Sequence, residues 1–242
     1  MKKIFKMITL ISILSLMSII PCTAQQEASL VGYWPFDEGK GEDVIDQSGN
    51  GNDGTIKGDV KWVNGKFNKA LDFTPGAYVE IPDSDTLRDM DEYTAALWIN
   101  FNEFSADWNH ILEKDGSYGI TVNSGGGDFR FTPNSGKVWL ESKFKPKAGT
   151  WYYITMTANS SAITFYVDAV KQSDAQEAVV FNNNTITIAH GPSYMVNAVI
   201  DEVKFWAKAL SPDDIAVAMK GDAAVTPGVD KVTSTWARVK SQ

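Results

Sequence analysis

The 242-residue sequence contains one cysteine and two histidines, and this scarcity excludes several classes of site. Because Cys22 is the only cysteine, the chain cannot form an internal disulfide and depends on a sizeable hydrophobic core for stability. The histidines are His110 and His190, and no serine lies in a nucleophile-elbow pattern. The sequence therefore gives no support to a catalytic triad or to a metal site with several histidines.

Long hydrophobic runs are also lacking, apart from one near the N-terminus. Residues 7–20 are mostly apolar, follow a lysine-rich start and precede a small-residue site ending at Ala24, which is the pattern of a secretory signal peptide. At roughly 14 residues, the run is shorter than the ~20 that a membrane span needs. We therefore predict a signal peptide at residues 1–24, a secreted or cell-surface protein, and no membrane span in the mature chain. Lipidation of Cys22 is the alternative, which Pro21 disfavours because that processing needs a small residue before the cysteine.

Basic residues are too few to balance the acidic ones. The chain has 22 Lys and Arg against 30 Asp and Glu, a net charge of −8, and loss of the lysine-containing signal peptide would make it more acidic. Such a charge argues against nucleic acid and against anionic membrane surfaces as partners. It is compatible with neutral sugars, with cations, or simply with solubility.

What the sequence does contain is a regular succession of strand patterns. They recur about every 8 to 12 residues with turn residues between them, and the clearest lie at residues 93–101, 151–158, 163–167, 186–188 and 200–206. A helical pattern covers residues 211–219, where Ser211 can cap the helix and Pro212 suits its first position. We predict an all-β fold, a two-sheet antiparallel β-sandwich (jelly roll) with one short C-terminal helix.

The alternation in residues 93–101 predicts which side chains enter the core. Leu97, Ile99 and Phe101 share one face, and Trp98 lies on the other. We expect the Leu97 face to be buried between the sheets. Trp98 would then be buried only if a loop covers it.

Six segments carry a resemblance to a known family. They are GYWPFDEG (32–39), DQSGNGNDG (46–54), GKFNKALDF (65–73), YVEIPD (78–83), GTWY (149–152) and IDEV (200–203). In this order and spacing they resemble the laminin G-like jelly-roll domains of the concanavalin A-like lectin/glucanase superfamily. The resemblance implies one domain over residues 25–221 and leaves residues 222–242 as a tail. It implies little about function, because this fold hosts lectins, glycosidases and adhesion modules.

The sequence departs from the family pattern at one hairpin. The resembling domains usually have Val-Asp-Gly where this chain has Val167, Asp168 and Ala169. A turn that needs positive φ at both central residues would cost Ala169 on the order of 1 kcal/mol relative to glycine. We expect either a different turn type or a locally strained hairpin.

The resemblance also implies a cation site at Asp37 and Asp201. In the resembling folds, the acid of the N-terminal segment and the acid of the last strand lie close together, because first and last strands are neighbours. Calcium needs six to eight oxygens, so carbonyl groups and water would have to complete the site, and the loop at residues 48–54 is of the kind that offers them. The alternative is that both acids are solvated turn residues.

Enzyme chemistry has weak support in the sequence. Sandwich hydrolases carry paired carboxylates on one strand, as Glu-x-Asp followed closely by a second Glu. Glu113, Lys114 and Asp115 approach this pattern but lack the second Glu. We interpret the segment as a charged strand end and predict that the protein is not an enzyme.

Loop aromatics suggest a carbohydrate platform, since sugar rings stack on exposed aromatic faces. Trp108 lies in a polar loop, Tyr194 precedes the last strand, and the resemblance implies that these two loops meet at one rim. We predict a shallow ligand site formed by Trp108, His110, Tyr194 and Asn197. The alternative is that the aromatics merely cover the edges of the core.

The tail has a helical pattern of its own. Val232, Trp236 and Val239 recur at helical spacing within a short basic segment. Docking of Trp236 on the sandwich and a sorting or partner-binding role both remain open.

Taken together, these features predict a secreted, non-catalytic recognition module that binds a glycan or the extracellular matrix with calcium support. The alternative is a structural or adhesive domain that binds a protein partner, and a polysaccharide-active enzyme ranks third.

Overall fold

The computed structural model describes residues 28–88, 90–105, 108–123, 125–133, 139–190 and 196–221. The predicted signal peptide at residues 1–24 and the tail at residues 222–242 lie outside these ranges, so both remain predictions. Within the described residues, no helix has the length and apolar character that crossing a membrane requires.

The described chain is built almost entirely from β-strands. In chain order they are β1 (Leu30–Trp34), β2 (Asp43–Val44), β3 (Gly54–Lys57), β4 (Val60–Asn64), β5 (Lys69–Phe73), β6 (Tyr78–Ile81), β7 (Tyr93–Glu103), β8 (Asn109–Lys114), β9 (Tyr118–Val122), β10 (Phe129–Thr132), β11 (Leu140–Glu141), β12 (Trp151–Ala158), β13 (Ile163–Val167), β14 (Val170–Ala175), β15 (Ile186–Ile188) and β16 (Asn197–Trp206). A 3₁₀ turn at Asp85–Leu87 precedes β7, and helix α1 (Pro212–Ala218) follows β16.

These strands form two antiparallel sheets of eight strands each. The first sheet has the order β14-β13-β12-β7-β16-β5-β4, with β1 also paired to β16. The second sheet has the order β11-β10-β9-β8-β15-β6-β3-β2. The predicted all-β sandwich of jelly-roll type is therefore confirmed.

Strand β7 shows how the alternation of side chains builds the core. Leu97, Ile99 and Phe101 are fully buried between the sheets, as expected. Trp98 points to the outer face of the first sheet, yet it is only 6% exposed. It packs against Phe67 and Tyr153, with ring centroids 6.4 and 5.3 Å away, because the loop after β4 covers this face.

Helix α1 covers another part of the same outer face. Ser211 caps it, since its hydroxyl accepts a hydrogen bond from the Asp214 N–H while the Asp214 carboxylate accepts one from the Ser211 N–H. Ile215 is buried with Trp206 in this outer layer. The predicted C-terminal helix is confirmed, with Ser211 as its cap.

The hairpin between β13 and β14 adopts the strained form. Asp168 and Ala169 both have positive φ, 51° and 63°, and Val167 pairs directly with Val170. This is the two-residue turn that favours glycine at its second position. Ala169 therefore occupies a backbone conformation that a side chain disfavours.

Strand β16 is interrupted by a bulge next to Asp201, one of the two predicted cation residues. Ala198–Ile200 pairs with β5, whereas Val203–Trp206 pairs with β1 along the same edge. The register shifts between Asp201 and Lys204, and Glu202 has a φ of 54°. Asp201 thus lies at the gap between β5 and β1, on the outer face of the first sheet beside Trp98.

Candidate functional site

The outer face of the second sheet carries a polar row across several strands. Leu112, Ile120 and Phe131 point into the core, so their strand neighbours point outward. Thr121 is paired with both His110 and Arg130, which places side chains of β8, β9 and β10 side by side.

A bulge in β8 brings two chemically active residues onto this face. Positions three apart in a regular strand point to opposite faces, but the register shifts between His110 and Leu112. Because Ile111 is an extra residue in the strand, the side chains of His110 and Glu113 lie on the same face of the sheet. The His110 Nδ1 atom lies 2.9 Å from Glu113 Oε2.

His190 reaches the same carboxylate from the end of β15. Ala189 has a φ of 64°, and its N–H donates to the Ile111 carbonyl at 2.8 Å, which ties this turn to the bulge of β8. His190 Nδ1 then lies 3.1 Å from Glu113 Oε2 and 3.0 Å from Thr187 Oγ1. Partial burial lowers the pKa of His190, and the nearby Glu113 carboxylate opposes this effect.

Aromatic rings extend this cluster over the sheet. Trp139 lies 5.7 Å from both Trp108 and His110 between ring centroids, and the two histidine rings are 5.3 Å apart. The Arg130 guanidinium lies 5.3 Å from the centre of the Trp108 ring. We call Trp108, Trp139, His110 and His190 the aromatic face. Trp108 and Trp139 are half-buried, so each residue keeps part of its surface open to solvent.

Arg130 is held over this face by two acids. Its Nη2 atom lies 3.0 Å from Glu141 Oε1, and its Nε atom lies 3.5 Å from Asp128 Oδ1. Arg130 therefore presents a positioned cation beside Trp108.

Two of the four predicted ligand residues meet here. Trp108 and His110 both belong to the aromatic face. Asn197 begins β16 in the other sheet, where its amide bonds to Glu103 and Asn102 at 2.8 and 2.9 Å. Tyr194 lies outside the described residues, and its place in the site remains a prediction.

The sequence interpretation missed the partners of these residues. Glu113 was interpreted as a charged strand end, but it is buried between two histidines. No pattern in the sequence supports a site with both histidines, yet in the structure His110 and His190 contact one oxygen of the Glu113 carboxylate. Arg130 lies on β10 and Trp139 directly precedes β11, and only the sheet order β11-β10-β9-β8 reveals that they lie near His110.

The predicted cation residues, Asp201 on β16 and Asp37 after β1, contact the same loop. Asp201 Oδ2 accepts a hydrogen bond from the Phe67 N–H at 2.9 Å. Asp37 accepts one from the Lys69 N–H at 2.9 Å and one from the Asn68 amide at 3.0 Å. Both acids thus bind the loop between β4 and β5.

Asp201 is the more unusual of the two acids. Its side chain is fully buried, and its Oδ1 atom has no hydrogen-bond partner among the described residues. Burial raises the pKa of Asp201 to about 7, although hydrogen bonds from the loop backbone counteract it. An ionised carboxylate in this place is costly unless a cation or proton neutralises it.

Gly65 shows how closely oxygen atoms converge near Asp201. A Cβ atom at this position would lie 2.5 Å from Asp201 Oδ2 and 2.8 Å from the carbonyl oxygens of Phe67 and Lys69. Two main-chain carbonyl oxygens and one carboxylate oxygen therefore surround the space beside Gly65. An all-oxygen set of this kind suits calcium, so the residues present fit such an ion.

Comparison with known proteins places this fold in context. A laminin G-type family model, described as the concanavalin A-like lectin/glucanases superfamily, matches residues 73–216. No curated protein is similar enough in sequence to match the chain.

Several solved structures share the fold. Domain 4 of AbnA, a GH43 extracellular arabinanase from Geobacillus stearothermophilus solved in complex with arabinotriose, is 20% identical, with a TM-score of 0.67 over 78% of this chain and 98% of that one. A botulinum neurotoxin type C structure, which concerns interaction with two ganglioside molecules, is 16% identical, with a TM-score of 0.67 over 82% of this chain and 52% of that one.

A third structure is the binding domain of botulinum neurotoxin DC in complex with rat synaptotagmin II. It is 15% identical, with a TM-score of 0.66 over 81% of this chain and 52% of that one. The chain thus spans about half the length of the neurotoxin chains it matches. At these identities the likeness shows the fold.

Proposed function

Because the chain belongs to the concanavalin A-like lectin/glucanases superfamily, we propose that it is a secreted, non-catalytic recognition module that binds a glycan or the extracellular matrix. The aromatic face is the observation that carries this proposal. It combines two part-exposed tryptophans with the positioned Arg130 and Glu141 pair. Sugar recognition uses this combination, since rings stack on the apolar face of a pyranose or furanose while charged groups bind its hydroxyls.

The solved relatives favour an oligosaccharide over a single sugar. The rings of Trp108 and Trp139 are inclined at 31°, with centroids 5.7 Å apart, so they overlap as an offset stack and a sugar would pack against the stacked pair. The arabinotriose complex and the ganglioside-dependent neurotoxin support this choice, because both concern oligosaccharide chemistry on the same fold.

The position of Glu113 favours binding over hydrolysis. A glycosidase needs a pair of carboxyl groups that face the glycosidic bond from either side. The Glu113 side chain is only 8% exposed, and one of its oxygens contacts both histidines. It is therefore engaged inside the protein rather than directed at a substrate.

Calcium support belongs to the same proposal. Asp201, Asp37 and the carbonyls of the loop between β4 and β5 would hold the ion, and the buried Oδ1 atom of Asp201 supports this assignment. A bound calcium ion would neutralise Asp201 and cross-link the last strand to that loop. Its role would be structural, since it lies on the first sheet and the aromatic face lies on the second.

Oligosaccharide binding tests the proposal. We expect arabinan-type and sialylated oligosaccharides on a glycan array to identify a ligand, and calorimetry to show weaker binding by Trp108→Ala and Trp139→Ala. A lost stacking contact worth ~0.5–1.5 kcal/mol corresponds to a roughly two- to tenfold loss of affinity. Trp62→Ala is the matched control, because Trp62 is also half-buried but lies on β4 of the first sheet.

Two results would contradict glycan binding at this face. One is an array with no bound glycan above background. The other is an equal loss of affinity in the Trp62 control and in the two aromatic-face variants.

A protein partner is the second candidate function. The neurotoxin domain bound to synaptotagmin supports it, because a similar fold there carries a protein ligand. Co-purification of one surface protein that oligosaccharides do not displace would favour this structural or adhesive role over glycan recognition.

A further inference from the structure

The two histidines of the aromatic face form, together with Glu113, a ligand set that stacking of a sugar on Trp108 and Trp139 does not use. Atoms of His110, Glu113 and His190 that can bind a metal all lie within 4.8 Å of one another. We infer that these three residues form a binding site for a divalent transition metal ion of the zinc class.

The distances in the cluster are close to those of a metal site. His110 Nδ1 and His190 Nδ1 lie 2.9 and 3.1 Å from Glu113 Oε2. Ligand atoms about 2.0 to 2.2 Å from one tetrahedral zinc ion lie about 3.3 Å apart. To admit the ion, these two separations would lengthen by a few tenths of an ångström, and the two imidazole nitrogens, which lie within 4.8 Å of each other, would settle about 3.3 Å apart.

The ligand types select the metal class. Two imidazole nitrogens and one carboxylate oxygen suit zinc and neighbouring transition metals, whereas calcium and magnesium prefer oxygen ligands alone. The site is therefore chemically distinct from the all-oxygen surroundings of Asp201. Two histidines and one glutamate with a remaining open position also form a recurrent zinc ligand set.

The backbone places the three ligands independently of any ion. The bulge at Ile111 brings His110 and Glu113 to one side, and the Ala189 N–H bonds to the Ile111 carbonyl at 2.8 Å. His190, the next residue, is thereby fixed against the same bulge. Ligands on paired strands lose little conformational freedom when a metal binds, which favours affinity.

The competing explanation is a hydrogen-bonded cluster without a metal. In that case each Nδ1 carries a proton and donates to Glu113 Oε2, and Thr187 Oγ1 bonds to His190. Metal binding would displace the Nδ1 protons and keep the same three residues together. The two explanations differ in whether the cluster takes up a stoichiometric ion.

Calorimetric titration with Zn²⁺ alone separates them, using the full protein without a histidine tag. We expect one ion per chain. Glu113→Gln and His190→Ala should weaken binding by more than the ~10–100-fold that loss of an outer contact costs. Glu80→Gln is the matched control, because Glu80 lies on the same face, opposite Thr187, but outside the cluster.

Titration with Co²⁺ gives a second readout that does not depend on the ligand variants. The Trp139 ring lies 5.7 Å from His110, so a bound Co²⁺ ion should quench its fluorescence, and Trp139→Phe should lose that part of the quenching. Circular dichroism melts would verify that each variant is folded.

The proposal is overturned if the wild type binds no stoichiometric Zn²⁺, or if Glu80→Gln weakens binding as much as His190→Ala. It is also overturned if Co²⁺ quenches the wild type and Trp139→Phe equally. Zinc binding without any glycan ligand would leave this site standing and remove the proposed recognition function.

Discussion

Glu113 and Asp201 are buried acids on opposite outer faces, and they differ in the contacts that their carboxylates make. Glu113 is buried but contacts two imidazoles, so its charge has partners. Asp201 is buried and receives the Phe67 N–H on one oxygen, while its other oxygen has no hydrogen-bond partner among the described residues. An ionised Asp201 is therefore costly to the fold unless a cation lies beside it.

The first prediction follows from that burial and applies to protein in excess chelator. The pKa of Asp201 is about 7 in the folded state, against 3.8 for an ordinary aspartate. The folded state therefore holds the proton more tightly, and stability is lost as pH rises from about 4 to about 7, at about 1.4 kcal/mol per pH unit. Asn at position 201 does not titrate. The free energy of unfolding of Asp201→Asn, relative to that of the wild type, should therefore increase as pH rises through this range.

Urea unfolding of both proteins at several pH values checks this prediction. The difference should be constant above pH 7 and below pH 4. A difference that does not change with pH would mean that Asp201 is solvated like an ordinary surface acid. Asp59→Asn, which removes one exposed carboxylate, is the control.

At the scale of elements, the regular strands were predictable and their irregularities were not. The bounds of β12, β13 and β15 match the predicted runs because alternation and turn residues mark them directly. The bulge at Ile111 has no comparable signature, since the extra residue looks like any buried apolar side chain. The positive φ angles of Ala189 and Glu202 are equally hard to predict from the sequence, because glycine is the residue that usually indicates positive φ.

The candidate site depends on two of these irregular positions, the bulge at Ile111 and the turn at Ala189. The sequence predicts Trp108 and His110 as site residues because aromatic residues in and beside a polar loop are visible in it. Glu113 and His190 were missed because their meeting requires a bulge in one strand and a left-handed turn after another. Local irregularity of this kind is common near functional sites.

A second prediction concerns the hairpin at Ala169. Because Ala169 has a φ of 63°, Ala169→Gly should relieve backbone strain. The free energy of unfolding should rise by about 1 kcal/mol at most, since the freedom glycine gains in the unfolded chain offsets part of the benefit. Thermal unfolding measures the change. Ala175→Gly at the end of β14 is the control and should destabilise the protein, and a lower melting temperature for Ala169→Gly would contradict the strain argument.

At the scale of the whole molecule, the sandwich separates its two candidate ion sites. Asp201 lies on the outer face of the first sheet, next to Trp98. His110 and the other members of the aromatic face lie on the outer face of the second sheet, with the core between them. Sheets that pack face to face are about 10 Å apart, so the two sites communicate through the stability of the domain rather than by direct contact.

The last prediction follows from this separation. If calcium binds the folded state at Asp201 and Asp37, it adds RT ln(1 + [Ca²⁺]/Kd) to stability, about 3 kcal/mol at a hundredfold excess over Kd. Chelation should lower the melting temperature, and Asp201→Ala should remove most of this response, because a site left with one carboxylate binds calcium weakly. Asp59→Ala should respond like the wild type. Glycan affinity, measured well below the melting temperature and at constant free Zn²⁺, should change little when calcium is removed, since the aromatic face is built on the other sheet. Identical melting curves with calcium and with chelator would reduce Asp37 and Asp201 to residues that hold the loop between β4 and β5.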